Sequence, residues 1–202
     1  MRKRFKFVNT DEVEKHLANG KSVLLTGGHY ANWEWGNLAI NLYFNNTALV
    51  IYKPLGNRYI GDLINKMRSR FGTIMVPMKL TLRKIAEHKN SLYLAIFVSD
   101  QTPTKHESQY FTTFLNQPTS VFLGIEKIAK TTGNPVVFCN VDKVKRGYYE
   151  ATFVTLFENP KQTSEHEITE AHTKMLEGYI KAKPELWLWS HKRWKFKPED
   201  IQ

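Results

Sequence analysis

The stretch "SVLLTGGHYANWEWGNLAINL", residues 22–42, decides the fold. An apolar run is followed by two glycines, and then by apolar residues returning at helical spacing. That order reads as strand, turn, helix. The same alternation recurs outward from it. Residues 48–52, 74–76, 92–98 and 135–141 are short Val, Ile, Leu and Phe-rich runs, expected as buried strands. Between them, 31–44, 60–71, 80–88 and 121–131 carry helical patterning. Residues 149–157 read as a later strand, possible in antiparallel pairing, and 165–182 as an amphipathic helix with Ser164 as its N-cap. Strand–helix alternation of this kind predicts an α/β fold with a mostly parallel central sheet flanked by helices.

In such sheets ligands bind beyond the carboxyl ends of the strands. His29, Lys53 and Asp100 each fall just past a predicted strand, so the three can converge on one site. His29 and Glu34 are five residues apart, which in one regular helix would separate them by about 140°. They meet only if His29 lies in the turn, with the helix starting near Ala31 or Asn32. Gly27 and Gly28 supply that turn, through the positive φ that glycine tolerates. Glu34 would then fix the imidazole tautomer and leave the other nitrogen as a base. No serine or cysteine stands beside the pair, which fits direct attack by a substrate alcohol. Taken alone, the spacing is a weak motif that occurs often by chance, as a well-packed turn with Trp33 and Trp35 as ordinary core or surface aromatics.

Composition narrows the class. A 42% hydrophobic and 13% aromatic content excludes a disordered chain. The net charge of +10 favours acidic partners such as nucleic acid, anionic lipid or an acidic protein. Cys139 is the only cysteine, which excludes an internal disulfide, and its setting "PVVFCNV" predicts a buried, inert thiol. The longest apolar run, 92–98, is far below the about 20 residues of a membrane span. "MRKRFKF" at the start lacks the apolar core of a signal peptide.

Six blocks, in order, carry a resemblance: "HYANWEWG" (29–36), "IYKPLGNRYI" (51–60), "MRSRFGT" (67–73), "VSDQTP" (98–103), "FTTFLNQPTSVFLGIEKIAKTTGNPVV" (111–137) and "PELWLWSHKRWK" (184–195). Together they resemble the bacterial lipid A biosynthesis acyltransferases (the late lauroyl and myristoyl transferases) of the lysophospholipid acyltransferase superfamily. The match covers about residues 2 to 198. Two departures stand out. Lys53 replaces an arginine, losing bidentate anion binding, and Asn116 replaces a glycine.

The resemblance implies a glycerolipid-acyltransferase-like fold and one catalytic domain over 1–202, without the family's N-terminal membrane-anchoring helix. It implies transfer of a fatty acyl chain from an acyl carrier protein thioester to a hydroxyl of a lipid A precursor, with no metal or other cofactor. His29 is then the general base and Glu34 its orienting partner. Asn32, Lys53, Asn57, Arg68, Arg70, Asp100, Gln101 and Arg193 are the substrate-binding candidates. Arg68 or Arg70 would stabilise the oxyanion or hold an acceptor phosphate, and the bland reading of the pair is a solvated helix end. Asp100 would either touch substrate or form a salt bridge to Arg68 or Arg70. Lys192 and Arg193 would contact anionic lipid or form a basic tail.

The expected partners are acyl carrier protein, an anionic lipid acceptor and a membrane surface bound peripherally, with no nucleic acid. The expected place is the cytoplasmic face of the bacterial inner membrane, docked through the basic ends "MRKRFK" and "HKRWKFK". The alternatives are an acyltransferase acting on another lipid (a glycerophospholipid, aminoacyl lipid or glycolipid), a basic nucleic-acid-binding module, and an inactive interaction protein. The glycerolipid branch's glycine-rich "EG-x-R" motif is not found, and neither is a nucleic-acid-binding signature.

Overall fold

The strand read from the opening stretch runs Val23–Gly27 and occupies the centre of a seven-stranded sheet. The computed structural model that carries it describes residues 1–201. In chain order the elements are β1 (Phe5–Phe7), α1 (Asp11–Ala18), β2 (Val23–Gly27), α2 (Trp33–Tyr43), β3 (Thr47–Tyr52), α3 (Arg58–Arg68), β4 (Ile74–Pro77), α4 (Thr81–Glu87), β5 (Tyr93–Val98), β6 (Phe111–Phe114), β7 (Gln117–Ser120), α5 (Gly124–Thr132), β8 (Val136–Lys145), β9 (Tyr148–Phe157) and α6 (Glu167–Ala182).

The sheet order is β1-β9-β8-β2-β5-β3-β4. From β8 to β4 every pairing is parallel, and β9 returns antiparallel on β8. Both faces are covered, as a parallel sheet requires. Along β2 the side chains alternate. Val23 and Leu25 join the core under α1 and α2, while Leu24 joins the core under α4 and α5. A third cluster, with Tyr30, Phe114, Phe138, Leu176, Ile180 and Trp187, ties α6 and the C-terminal segment to the sheet.

Three local expectations change. Ser164 does not cap α6 with its side chain; the buried carboxylate of Glu126, from α5, accepts from the backbone N–H groups of His166 and Thr169 and from the Thr169 hydroxyl. A carboxylate is the stronger acceptor for orphaned helix N–H groups. The glycines at 27–28 do not adopt positive φ. A Cβ at Gly27 would sit 2.8 Å from the Cys139 carbonyl oxygen, and one at Gly28 would sit 2.6 Å from Leu176 Cδ1. They permit close approach, and the left-handed residue of the turn is Ala31 at φ 48. The stretch 111–120 forms a separate hairpin, β6–β7, that periodicity did not reveal. Its two turn residues, Leu115 and Asn116, have φ of 50 and 61, and asparagine tolerates that region where a glycine was expected.

His172, on α6, is buried and its Nε2 has no hydrogen-bond partner. Burial pushes its pKa down to about 4. The unfolded chain therefore binds a proton near pH 6.5 that the native state refuses until about pH 4, so stability falls as pH drops through that window. Relative to His172→Leu, the wild type is expected to lose about 3 kcal/mol of unfolding free energy between pH 7 and pH 4. Urea denaturation across that range measures it. Parallel pH profiles for the two proteins would refute the assignment.

Candidate functional site

The register of the central strands builds the site. β2 and β5 pair with Gly27 opposite Val98. Each chain then runs two residues further, to His29 and to Asp100. The equal offset brings them together. The Asp100 carboxylate is buried and accepts three hydrogen bonds. His29 Nδ1–H donates to Oδ1 at 2.5 Å, the His29 backbone N–H to Oδ2 at 3.0 Å, and the Trp187 indole N–H to Oδ2 at 2.8 Å. Burial alone would raise the Asp100 pKa. The His29 ring and charge, then the indole and the backbone N–H, outweigh it and hold the group below the usual aspartate value. An ionised carboxylate only accepts, so the proton lies on Nδ1 and Nε2 is left as a base. Nε2 stands 3.4 Å from the Gln101 side-chain amide, and the Trp33 ring packs edge-on, 5.1 Å from the imidazole.

The expected bond between His29 and Glu34 is not made. Asn32 caps α2, its side-chain oxygen accepting from Trp35 N–H at 3.2 Å, so Glu34 stands in the first helical turn. There it pairs with Arg68, at the end of α3. Nε donates to Oε2 at 3.0 Å and Nη2 to Oε1, which is a two-point contact. The salt bridge considered between Asp100 and Arg68 or Arg70 is likewise absent, because each acid already has its own partner.

His29 of the first pair and both members of the second open onto one cavity of about 650 Å³ at the carboxyl ends of the strands. His29, Glu34, Lys53, Arg68 and Gln101 line it. Most of its wall is apolar, drawn from both core faces: Leu25, Ile40 and Val141 from one, Ile51, Phe97 and Ile125 from the other. Cys139 also lines it, with burial pushing its thiol up to about 12, so it stays protonated at neutral pH. No group of three or more His, Cys, Asp or Glu side chains among the described residues could hold a metal.

Other candidates lie elsewhere. Asn57 caps α3, accepting from Ile60 N–H at 3.2 Å. Arg70 is exposed and does not line the cavity. Arg193 is only 3% exposed, so it is not part of a solvated basic tail. The segment after α6 folds back along the site. Ala31 N–H donates to the Leu186 carbonyl, Leu188 N–H to the His29 carbonyl, and Thr102 N–H to His191 Nε2. Arg193 is carried inward with it. Its guanidinium lies 5.9 Å from the Phe114 ring centre, and burial lowers its pKa to about 10. With Asp100 and His172 it lines a second, water-sized void. Trp187, which sequence reasoning did not single out, is the missed member. Its signal was the "WLW" spacing in a segment otherwise basic.

The family model described as bacterial lipid A biosynthesis acyltransferase matches residues 1–196. Two curated relatives are each 23% identical over 207 aligned residues: a lipid A biosynthesis palmitoleoyltransferase of Escherichia coli (strain K12) and a lipid A biosynthesis acyltransferase of Shigella flexneri. The alignments cover 98% of this chain and 64% of each relative.

Trp187→Phe keeps the ring and removes one of the three donors to a buried charge. It is expected to lower the unfolding free energy by about 1.5–3 kcal/mol at pH 7, the range for hydrogen bonds to charged groups. Denaturant titration measures this. A loss below about 0.5 kcal/mol, the size of an ordinary surface change, would mean that the indole does not support the carboxylate.

Proposed function

Because the chain belongs to the bacterial lipid A biosynthesis acyltransferase family, we propose that it transfers a fatty acyl chain from an acyl carrier protein thioester to a hydroxyl of a lipid A precursor. The observation that carries this reading is His29 Nε2. It is a base of fixed tautomer on the wall of a largely apolar cavity, with no side-chain hydroxyl or thiol bonded to it.

In the proposed reaction the acceptor hydroxyl gives its proton to Nε2 while its oxygen attacks the thioester carbonyl. Asp100 stabilises the imidazolium that forms. The tetrahedral intermediate collapses by breaking the carbon–sulfur bond, and the imidazolium returns the proton to the thiolate. General base catalysis of this kind contributes about 100- to 10,000-fold. Glu34 occupies Nε and Nη2 of Arg68, which leaves Nη1 for the developing oxyanion or an acceptor phosphate. Glu34 is thus assigned to positioning Arg68 rather than His29. The apolar wall takes the acyl chain. The reaction would occur at the cytoplasmic face of the bacterial inner membrane, where a carrier-bound donor meets an acceptor in the bilayer. No helix among the described residues is long and apolar enough to cross a membrane.

A transfer assay with a panel of acyl donors and lipid acceptors, read by mass spectrometry, tests the reading. His29→Ala is expected to abolish transfer in a chain that still folds, less stably because Asp100 loses a donor. Asp100→Asn is expected to cost about 100- to 10,000-fold in kcat through loss of the imidazolium's counter-charge and correct tautomer. Glu34→Gln should cost less, since an amide still accepts one hydrogen bond from Arg68. If Glu34→Gln proves the more damaging, Glu34 and not Asp100 serves the imidazole. Wild-type turnover in His29→Ala would overturn the mechanism.

A further inference from the structure

Helix α3 is turned inside out. None of its eleven residues is buried. Two of its polar side chains face the protein: Arg68 reaches Glu34, and the Asn65 amide donates to the Tyr52 hydroxyl at 2.9 Å. Its apolar side faces outward, with Tyr59 86%, Ile60 51%, Leu63 68% and Met67 44% exposed. At about 100° per residue these four share an arc of about 100°, one continuous stripe. An ordinary surface helix has the reverse arrangement, and a contiguous exposed apolar stripe marks an interaction surface.

Two further observations select the partner. From 53 to 70 the chain carries Lys53, Arg58, Lys66, Arg68 and Arg70 against the single acid Asp62. The helix also borders the cavity mouth. Arg68 lines the cavity, as does half-exposed Leu55, whose Cβ lies 3.9 Å from where a Cβ on Gly61 would stand. Apolar side chains flanked by cations, beside the opening of an apolar cavity, suit the interface of an anionic bilayer.

We infer that α3 is a membrane-docking helix, lying in the surface of an anionic bilayer with Tyr59, Ile60, Leu63 and Met67 inserted, so that the cavity opens toward the lipid. Docking then rests on α3 rather than on the basic ends alone. Arg193 is buried and cannot meet lipid, while Arg2, Lys3 and Arg4 are exposed. The inference deepens the proposed function but is tested without any acyl donor, so failure of transfer leaves it standing.

The experiment is cosedimentation of the chain with equimolar phosphatidylglycerol–phosphatidylcholine vesicles and with pure phosphatidylcholine vesicles. The wild type is expected to bind the anionic vesicles, with binding weakened but not abolished by high salt, because inserted apolar groups are not screened. Ile60→Glu combined with Leu63→Glu is expected to weaken binding at least about tenfold, from the lost insertion of two apolar side chains. Tyr59→Glu is a milder second variant with the same direction. All replaced side chains are exposed, so an unchanged thermal midpoint shows that folding is intact. Wild-type binding by the folded variants overturns the inference. So does loss of binding only on charge reversal at Arg2, Lys3 and Arg4, which would restore docking through the chain's end. Unchanged vesicle binding with lost binding of purified acyl carrier protein would assign α3 to that acidic protein. A dimer that the double variant dissociates would assign it to a second copy of this chain.

Discussion

One buried negative charge organises the site. Asp100 is far from water, and it remains ionised because three N–H groups converge on it from two separate parts of the chain. Two of them belong to His29, beyond the central strand, and the third to Trp187, about 90 residues after Asp100. Remove the donors and the desolvation cost of a carboxylate, several kcal/mol, is uncompensated. The arrangement therefore links the sheet, the turn after β2 and the C-terminal segment. The local backbone supports it: Leu188 N–H bonds the His29 carbonyl, and Ala31 bonds Leu186.

The two carboxylates near the cavity divide the work by environment. Asp100 is buried against an imidazole, while Glu34 is partly exposed against a guanidinium. The first pair fixes which nitrogen carries a proton. The second fixes where a planar cation stands, with one terminal nitrogen left free of the carboxylate. A histidine and an acid five residues apart resemble a dyad in the sequence, yet the contacts formed are non-local.

That contrast explains what could be read from the chain. The five strands that pair in parallel, β2, β3, β4, β5 and β8, were legible because each begins from a short apolar run suited to a doubly covered sheet. The helices between them followed from periodicity. β1 was not legible, since Phe5–Phe7 is three residues within a basic stretch and pairs with β9, some 144 residues later. The strand-end residues His29, Lys53 and Asp100 were legible as a group: His29 and Lys53 line one cavity, and Asp100 holds the His29 ring from behind its wall. Their pairing was not legible, because it depends on register: Gly27 opposite Val98 sets His29 against Asp100. Arg193 shows the opposite failure. Its neighbours are cationic and polar, but Phe114 and Asp100 decide its surroundings.

The attachment of α3 has a consequence for how the molecule opens. A helix with no buried side chain contributes almost nothing to the core, so its local opening free energy lies at the low end of the range within a folded protein. What retains it is a short list of polar links, chiefly Glu34 to Arg68 and Asn65 to Tyr52. In amide-exchange terms α3 is expected to open well before the sheet. Glu34 is then a latch. When it lets go, the cavity loses the cation that Arg68 brings to it, and no strand of the sheet need be disturbed.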